Sequence, residues 1–191
     1  MILIITRHGE TEGNVAKLNA GPEDPLTPKG KEQAKQLAER LKHQHLDAIY
    51  TSPYPRSLQT AEAIAQFHPK IPFYEIHELR EMDHGSYRDK PTDKVDWNIM
   101  PADVESRTSL FKRSQHVLAQ ALKDYPQGSV LFVAHNAVNK ALIRVIRNLD
   151  PEDRSSMPQS NTNLTIFEIS DAGSKEILLN ETKHLHVNLT R

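Results

Sequence analysis

Cysteine is absent from the 191-residue sequence, which excludes disulfide bonds and catalysis by a thiolate. No hydrophobic run is long enough to span a membrane or to form the core of a secretory signal, so we expect a soluble cytoplasmic protein without a membrane partner. Charge of one sign is not in excess either, because the formal net charge is −1, and we expect no nucleic-acid partner.

The hydrophobic pattern predicts strands that alternate with helices, within a length that suits one domain over residues 1–191. Two continuously apolar runs, Ile2 to Ile5 and Val130 to Ala134, are typical of strands buried on both faces of a parallel sheet. The other predicted strands are 46–50 and 72–76, with a closing hairpin of 164–169 and 176–179; the predicted helices are 11–17, one starting at Pro28, 55–67, 107–125 and one running from His135 to Pro151. This pattern predicts an α/β fold in which helices cover a parallel sheet.

Residues 82–106 show little periodicity and contain the helix breakers Gly85, Pro91 and Pro101. We expect this segment to form a lid that determines specificity. The last dozen residues are expected to be loosely attached.

Charged side chains and histidines follow the ends of four predicted strands. Arg7 and His8 follow the first strand, Arg56 the second, Glu81 the third and His135 the fourth. If these strands are neighbours in the sheet, their carboxyl ends meet at one pocket.

These residue types suit phosphoryl transfer. Two arginines can hold a phosphate, a neutral imidazole can attack phosphorus, a second histidine can donate to the phosphate oxygens, and a carboxylic acid can protonate the departing oxygen. No metal or other cofactor is needed for this chemistry. For His8 taken alone, a capped loop histidine without a chemical role is an equal alternative.

Five motifs, in order along the chain, resemble the signature of the histidine phosphatase superfamily, the phosphoglycerate-mutase-like proteins. They are Arg7-His8-Gly9-Glu10-Thr11 with Asn14, Leu26-Thr27-Pro28-Lys29-Gly30, Ser52-Pro53 with Arg56, Leu79-Arg80-Glu81 with Gly85, and Val133-Ala134-His135. The resemblance covers the chain from end to end. It implies a single doubly wound domain with a mostly parallel sheet, helices on both faces and a C-terminal hairpin.

The resemblance also implies a role for each matching residue. His8 is transiently phosphorylated, and Glu81 donates a proton to the leaving group. Arg7, Arg56 and His135 bind the phosphate. Asn14 and the Gly21 backbone line the substrate site.

Two further residues are candidates for substrate contact. The family usually has glycine after the second histidine, where this chain has Asn136. Asparagine here is either a changed substrate contact or a helix N-cap without a ligand role. His84, close to Glu81, either touches substrate or is a plain lid residue.

Other carboxylates are alternative candidates for the acid, because the alignment of a family motif in a loop can be shifted by a few residues. Glu10, Glu78 and Asp83 lie near the motifs, and Asp83 is the substitute for Glu81. Two histidine pairs, 43/45 and 184/186, lack a third ligand at a typical spacing, so no metal site is predicted.

We therefore predict a metal-independent phosphatase that hydrolyses a small phosphorylated metabolite through a phosphohistidine, with no cofactor. A phosphoglycerate mutase is the first alternative, but mutases of this superfamily carry a longer insertion between the acid and the second histidine. A catalytically inactive phosphate-binding regulatory module is the second. The sequence predicts no particular oligomeric state.

Overall fold

The computed structural model describes residues 1–186 and contains one six-stranded sheet. The strands are β1 (Ile2–Arg7), β2 (Ala48–Thr51), β3 (Phe73–Glu75), β4 (Ser129–Ala134), β5 (Leu164–Ser170) and β6 (Gly173–Glu181). The helices are α1 (Glu12–Val15), α2 (Pro28–Leu41), α3 (Pro55–Ala65), α4 (Arg107–Asp124) and α5 (Asn136–Ile146). The spatial order of the strands is β3-β2-β4-β1-β5-β6.

The four strands β3, β2, β4 and β1 are parallel to one another, whereas β5 is antiparallel to β1 and pairs with β6 as a hairpin. The predicted α/β class, the mostly parallel sheet and the C-terminal hairpin are confirmed. No helix within residues 1–186 is long and apolar enough to cross a membrane.

The apolar runs of the central strands pack on both faces of the sheet, because successive side chains of a strand point to opposite sides. Leu3 and Ile5 of β1 belong to the core beneath α4 and α5. Ile4 belongs to the core beneath α2 and α3 on the other face. The sheet is therefore doubly wound, as predicted.

Helix α2 begins where the sequence predicts. The Thr27 side chain accepts a hydrogen bond from the Gly30 amide (2.9 Å), and Pro28 is the first helical residue.

Helix α5 ends earlier than its hydrophobic stripe indicates. Asn148 has φ 52°, its amide donates to the Val145 carbonyl (3.1 Å), and the Leu149 amide donates to the Arg144 carbonyl (2.9 Å). This is a Schellman cap with asparagine in the left-handed position. The prediction that α5 runs to Pro151 was wrong because this cap ends the helix first.

Residues 82–106 contain one 3₁₀ turn, Gly85–Tyr87, and no α-helix or strand of the sheet. The segment packs on the loop after α1 through a Leu18–Pro91 bridge and a hydrogen bond from the Asn19 amide to the Lys90 carbonyl (3.0 Å).

More of the C-terminal end is attached to the rest of the domain than the sequence predicts. Asn180 and Glu181 belong to β6, and the His184 Nε2 atom donates to the Thr162 carbonyl (3.0 Å). The rest of the predicted loose tail, 187–191, lies outside the described residues.

Candidate active site

The sheet order brings three of the predicted strand ends together. β4 lies between β1 and β2, so the residues that follow these strands share one edge of the sheet. The His8 amide donates to the Ala134 carbonyl (3.0 Å), and the His8 and His135 ring centroids are 5.1 Å apart. Arg56, in the first turn of α3, lies between the two rings.

The His8 ring is held in one tautomer. Its Nδ1 lies 2.6 Å from the Gly9 carbonyl oxygen, which can only accept, so Nδ1 carries the proton. Its Nε2 accepts from the Arg56 Nε (3.2 Å) and therefore carries a lone pair. Burial lowers the pKa of His8 well below its ordinary value, and the charges of Arg56 and Arg7 lower it further. The ring is thus a neutral nucleophile with Nε2 as the reactive atom.

His135 is held in the opposite tautomer. Its Nδ1 accepts from the same Arg56 Nε (3.2 Å), so Nε2 carries the proton and donates to the Ser52 hydroxyl (2.8 Å). Burial, followed by the charge of Arg56, lowers the pKa of His135 well below its ordinary value. Both histidines therefore present a lone pair to one Arg56 N–H.

The two arginines are fixed by backbone carbonyl groups. Arg56 Nη1 donates to the carbonyls of Gly21 (2.9 Å) and Pro22 (3.3 Å), and its guanidinium lies over the Tyr54 ring. Arg7 Nη1 donates to the Gln159 carbonyl (2.8 Å). Burial lowers the pKa of Arg7 to about 10, so it stays charged at neutral pH.

The Glu81 side chain lies against the N-terminus of α5. Its carboxylate accepts from the amides of Ala137 (3.1 and 3.2 Å) and Val138 (3.3 Å), and from its neighbour Met82 (3.0 Å). These contacts use the free N–H groups of a helix N-terminus to hold a carboxylate beside His135.

Of the substrate-contact candidates, Asn14, His84 and Asn136 line the same cleft as His8, Arg56 and Glu81, whose volume is about 470 Å³. Gly21 contributes instead through its carbonyl contact with Arg56. His135 occupies the N-cap position of α5 and Asn136 is the first helical residue, so the N-cap alternative for Asn136 was wrong.

The alternative acids are engaged elsewhere in the described part of the chain. Glu10 accepts from Lys29 (3.0 Å) and Thr27 (3.1 Å), and Asp83 from the Gly85 amide (3.0 Å) and Arg88 (3.2 Å). Neither these nor Glu78 lines the cleft. Within residues 1–186 no cluster of histidine and carboxylate side chains is suited to hold a metal ion.

Comparison with known proteins identifies the family. The model of the histidine phosphatase superfamily, branch 1, matches residues 3–182. The chain belongs to this superfamily. The chain is thus a histidine phosphatase, and members of the superfamily carry the phosphoryl group on a histidine during the reaction.

Relatives of this histidine phosphatase share most of its length. The uncharacterized phosphatase PhoE of Bacillus subtilis is 35% identical over 80% of each chain. Phosphoserine phosphatase 1 of Hydrogenobacter thermophilus is 29% identical, covering 96% of this chain and 93% of its own. A mutant phosphoserine phosphatase from Entamoeba histolytica, solved in complex with phosphoserine, has a TM-score of 0.85 and 27% identity over 96% of this chain and 98% of its own.

The sequence analysis assigned no role to several residues that the structure of this phosphatase places in or around the site. Asn161 donates to the His8 carbonyl (2.9 Å) and to the Asn14 side chain (3.0 Å), joining the two. Lys140 lines the cleft one turn after Asn136 on α5. Arg113 of α4 donates to the Glu81 carbonyl (3.1 Å). Two signals for them were in the sequence: Asn161 opens the stretch Asn161-Thr162-Asn163-Leu164, which resembles the family's late asparagine-containing strand entry, and Lys140 lies one helical turn after Asn136.

Proposed function

We propose that the cleft hydrolyses small phosphomonoesters with His8 as nucleophile, Glu81 as acid and base, and Arg7, Arg56 and His135 as phosphate ligands. The observation that carries the proposal is the tautomer of His8. A proton on Nδ1 leaves the lone pair of Nε2 facing the guanidinium that would bind the phosphate.

In the first step, Nε2 of His8 bonds to phosphorus while the ester P–O bond breaks. Glu81 enters this step in its protonated form and gives that proton to the departing oxygen. The Gly9 carbonyl accepts from Nδ1–H and stabilises the positive charge that develops on the ring.

In the second step, a water oxygen bonds to phosphorus while its proton goes to the Glu81 carboxylate. The N–P bond breaks, and its electron pair returns to Nε2 of His8. Inorganic phosphate leaves, and both side chains are restored.

His135 and Arg56 exchange partners when phosphate binds. The Nε–H of Arg56, which both rings share in the free enzyme, turns to a phosphate oxygen. The Nδ1 atom of His135 then donates to phosphate once it has taken a proton, a form that a neighbouring dianion favours.

The first experiment measures phosphate release from p-nitrophenyl phosphate. We expect turnover that is abolished in His8→Ala and retained in His43→Ala, a matched change at an exposed histidine outside the cleft. An acid-labile phosphoryl label on the wild-type chain and none on His8→Ala is the direct evidence for the intermediate. Equal turnover by His8→Ala and wild type contradicts the proposal.

A second experiment separates phosphatase from mutase. The chain is given 3-phosphoglycerate with a bisphosphoglycerate primer, and phosphate release is compared with exchange between phosphoglycerate isomers. Release that outruns exchange is expected, and the reverse makes the chain a mutase.

We propose further that residues 82–106 act as a lid. His84, Thr92 and Trp97 of this segment line the cleft, and Trp97 packs edge-on against His84 (5.8 Å between ring centroids). Trp97 is the one tryptophan of the sequence, so its fluorescence should change when vanadate fills the phosphate site. An unchanged spectrum at saturating vanadate contradicts closure.

The cytoplasmic location stays a prediction.

A further inference from the structure

A second cavity of about 390 Å³ adjoins the catalytic cleft. The two share Met82, Ala137 and Lys140 in their walls, so the cavities meet at these residues. We name the second one the basic cavity, because Lys140, Arg107, Arg144 and Arg154 line it.

Its positive charge is only partly compensated. Asp153 is the one carboxylate among its lining residues in the described part of the chain. The Asp153 carboxylate accepts from the Ser155 amide (2.8 Å), while Arg144 bonds to the Asp153 carbonyl oxygen (2.8 Å) and not to its side chain. Arg107 pairs with the half-exposed Glu152 (2.9 Å).

Lys140 stands where the two cavities meet. Within residues 1–186 its ammonium has no hydrogen-bond or ion-pair partner, although the residue is only partly exposed. Burial lowers the pKa of Lys140, and the charges of Arg7 and Arg144 lower it further against the opposing effect of Glu81. An anion beside it would offset this unfavourable environment.

The spacing along α5 sets how far the basic side chains lie from the helix N-terminus that holds Glu81. Ala137, Lys140 and Arg144 lie three and four residues apart on one helix face, with Ala137 donating to Glu81. At 1.5 Å per residue, Lys140 and Arg144 lie about 4.5 and 10 Å along the helix axis from Ala137. Apolar side chains of Leu110, Phe111 and Met157 complete the cavity wall.

We propose that the basic cavity binds a second anionic group of the substrate, so that the preferred substrates are phosphomonoesters that carry a carboxylate or second phosphate on a short carbon chain. The phosphomonoester is bound in the cleft as described above, and on this point the inference rests on the proposed function. Lys140 contacts the second anion first, and the arginines bind it in longer substrates.

Binding of phosphonates tests this inference without turnover. Calorimetry compares ω-carboxyalkyl phosphonates and alkane bisphosphonates of increasing length with plain alkyl phosphonates of the same length. We expect Kd to fall roughly tenfold or more when the second anion is present. The carboxylate and bisphosphonate series show which anion the cavity prefers.

Variants then assign the effect to the cavity. Lys140→Met keeps the aliphatic stem and should remove most of the preference, whereas Lys112→Met, at an exposed lysine of α4, should keep it. Arg154→Gln, at the exposed rim, gives a second measurement if Lys140→Met folds poorly, and should weaken the longer ligands most.

The same preference should appear in kcat/KM for the corresponding phosphate esters. Equal Kd values for the plain and doubly anionic phosphonates would overturn the inference, as would a preference that both cavity variants retain. Absence of phosphate release from every ester, with the binding preference intact, would instead overturn the proposed function and leave the basic cavity supported.

Discussion

The buried guanidinium of Arg113 holds the stretch that carries Glu81, and its removal should damage both stability and activity. Arg113 donates to the carbonyls of Glu78, Arg80 and Glu81 and forms a bidentate pair with Glu105 (2.8 and 2.9 Å). The side chains of Arg113 and Glu105 are 9% and 7% exposed, so water replaces little of what is lost.

The expected loss of unfolding free energy follows from the burial of this ion pair. Removing one partner of a buried ion pair costs about 3–5 kcal/mol, because the other charge is left uncompensated. Burial alone raises the pKa of Glu105, but the hydrogen bond and charge of Arg113 outweigh it and hold that pKa below its ordinary value. In Arg113→Met the Glu105 carboxylate keeps the Asp83 amide (3.1 Å) and a longer contact with Arg80 (3.9 Å), but it loses its bidentate partner, and at neutral pH this accounts for much of the loss.

A double-mutant cycle, followed by urea denaturation, measures the stability that the Arg113–Glu105 pair contributes. We expect Arg113→Met to lower the free energy of unfolding by about 3–5 kcal/mol, and Glu105→Gln in the same chain to restore about 1–3 kcal/mol of it. Lys123→Ala, at an exposed lysine of the same helix, is the control and should change it by less than about 0.5 kcal/mol.

Activity tests the positioning role separately. Looser placement of Glu81 should lower kcat by roughly tenfold to a hundredfold while KM changes little, because the phosphate ligands are untouched. The reasoning is refuted if Arg113→Met costs less than about 1 kcal/mol, or if Glu105→Gln and Arg113→Met add without coupling.

Four further predictions concern the acid, the buried histidines and a helix cap. Glu81→Gln should lower kcat/KM, which reports the first step alone, by about 10²–10⁴ for an alkyl phosphate and much less for p-nitrophenyl phosphate, whose leaving group departs without a proton; equal losses of kcat/KM for the two esters would count against Glu81 as the acid. Burial lowers the pKa values of His8 and His135 in the folded state, so below about pH 6.5 the unfolded chain binds more protons than the folded chain. The free energy of unfolding should therefore decrease as the pH falls, by up to about 1.4 kcal/mol per pH unit for each ring. Urea midpoints near neutral pH and about pH 5.5 should show a shallower fall in His135→Asn, and an identical slope would contradict this. The same low pKa keeps His8 unprotonated in mild acid, so activity measured across pH should persist below about pH 6.5; a rate that halves near that pH would contradict it. Thr27→Ala should cost about 1 kcal/mol in urea denaturation and Thr27→Ser much less, because serine keeps the bond to the Gly30 amide; equal costs would contradict the capping role.

Local patterns carried the prediction of the elements. Some features depend only on residues within the same strand or helical turn, and these can be predicted from the sequence alone. They are the apolar strand runs, the Thr27 cap and the proline start of α3. The end of α5 was missed because Asn148, and not a glycine, takes the left-handed position of the cap.

Tertiary structure decided the chemistry of the candidate site. The sequence by itself determined that Arg7, His8, Arg56 and His135 follow strand ends, and the family motifs singled them out. It could not determine that β4 lies between β1 and β2, because the order of strands depends on contacts between distant segments.

The same physical reason applies to the details of the site. Which nitrogen of His8 carries a proton depends on the Gly9 carbonyl and on Arg56, 48 residues away. Lys140 and Arg113 acquire their surroundings only when α5 and α4 pack beside the loop of Glu81. Residue types and their local order are therefore properties of the sequence, whereas tautomer, charge environment and cavity shape arise from packing between segments that are far apart along the chain.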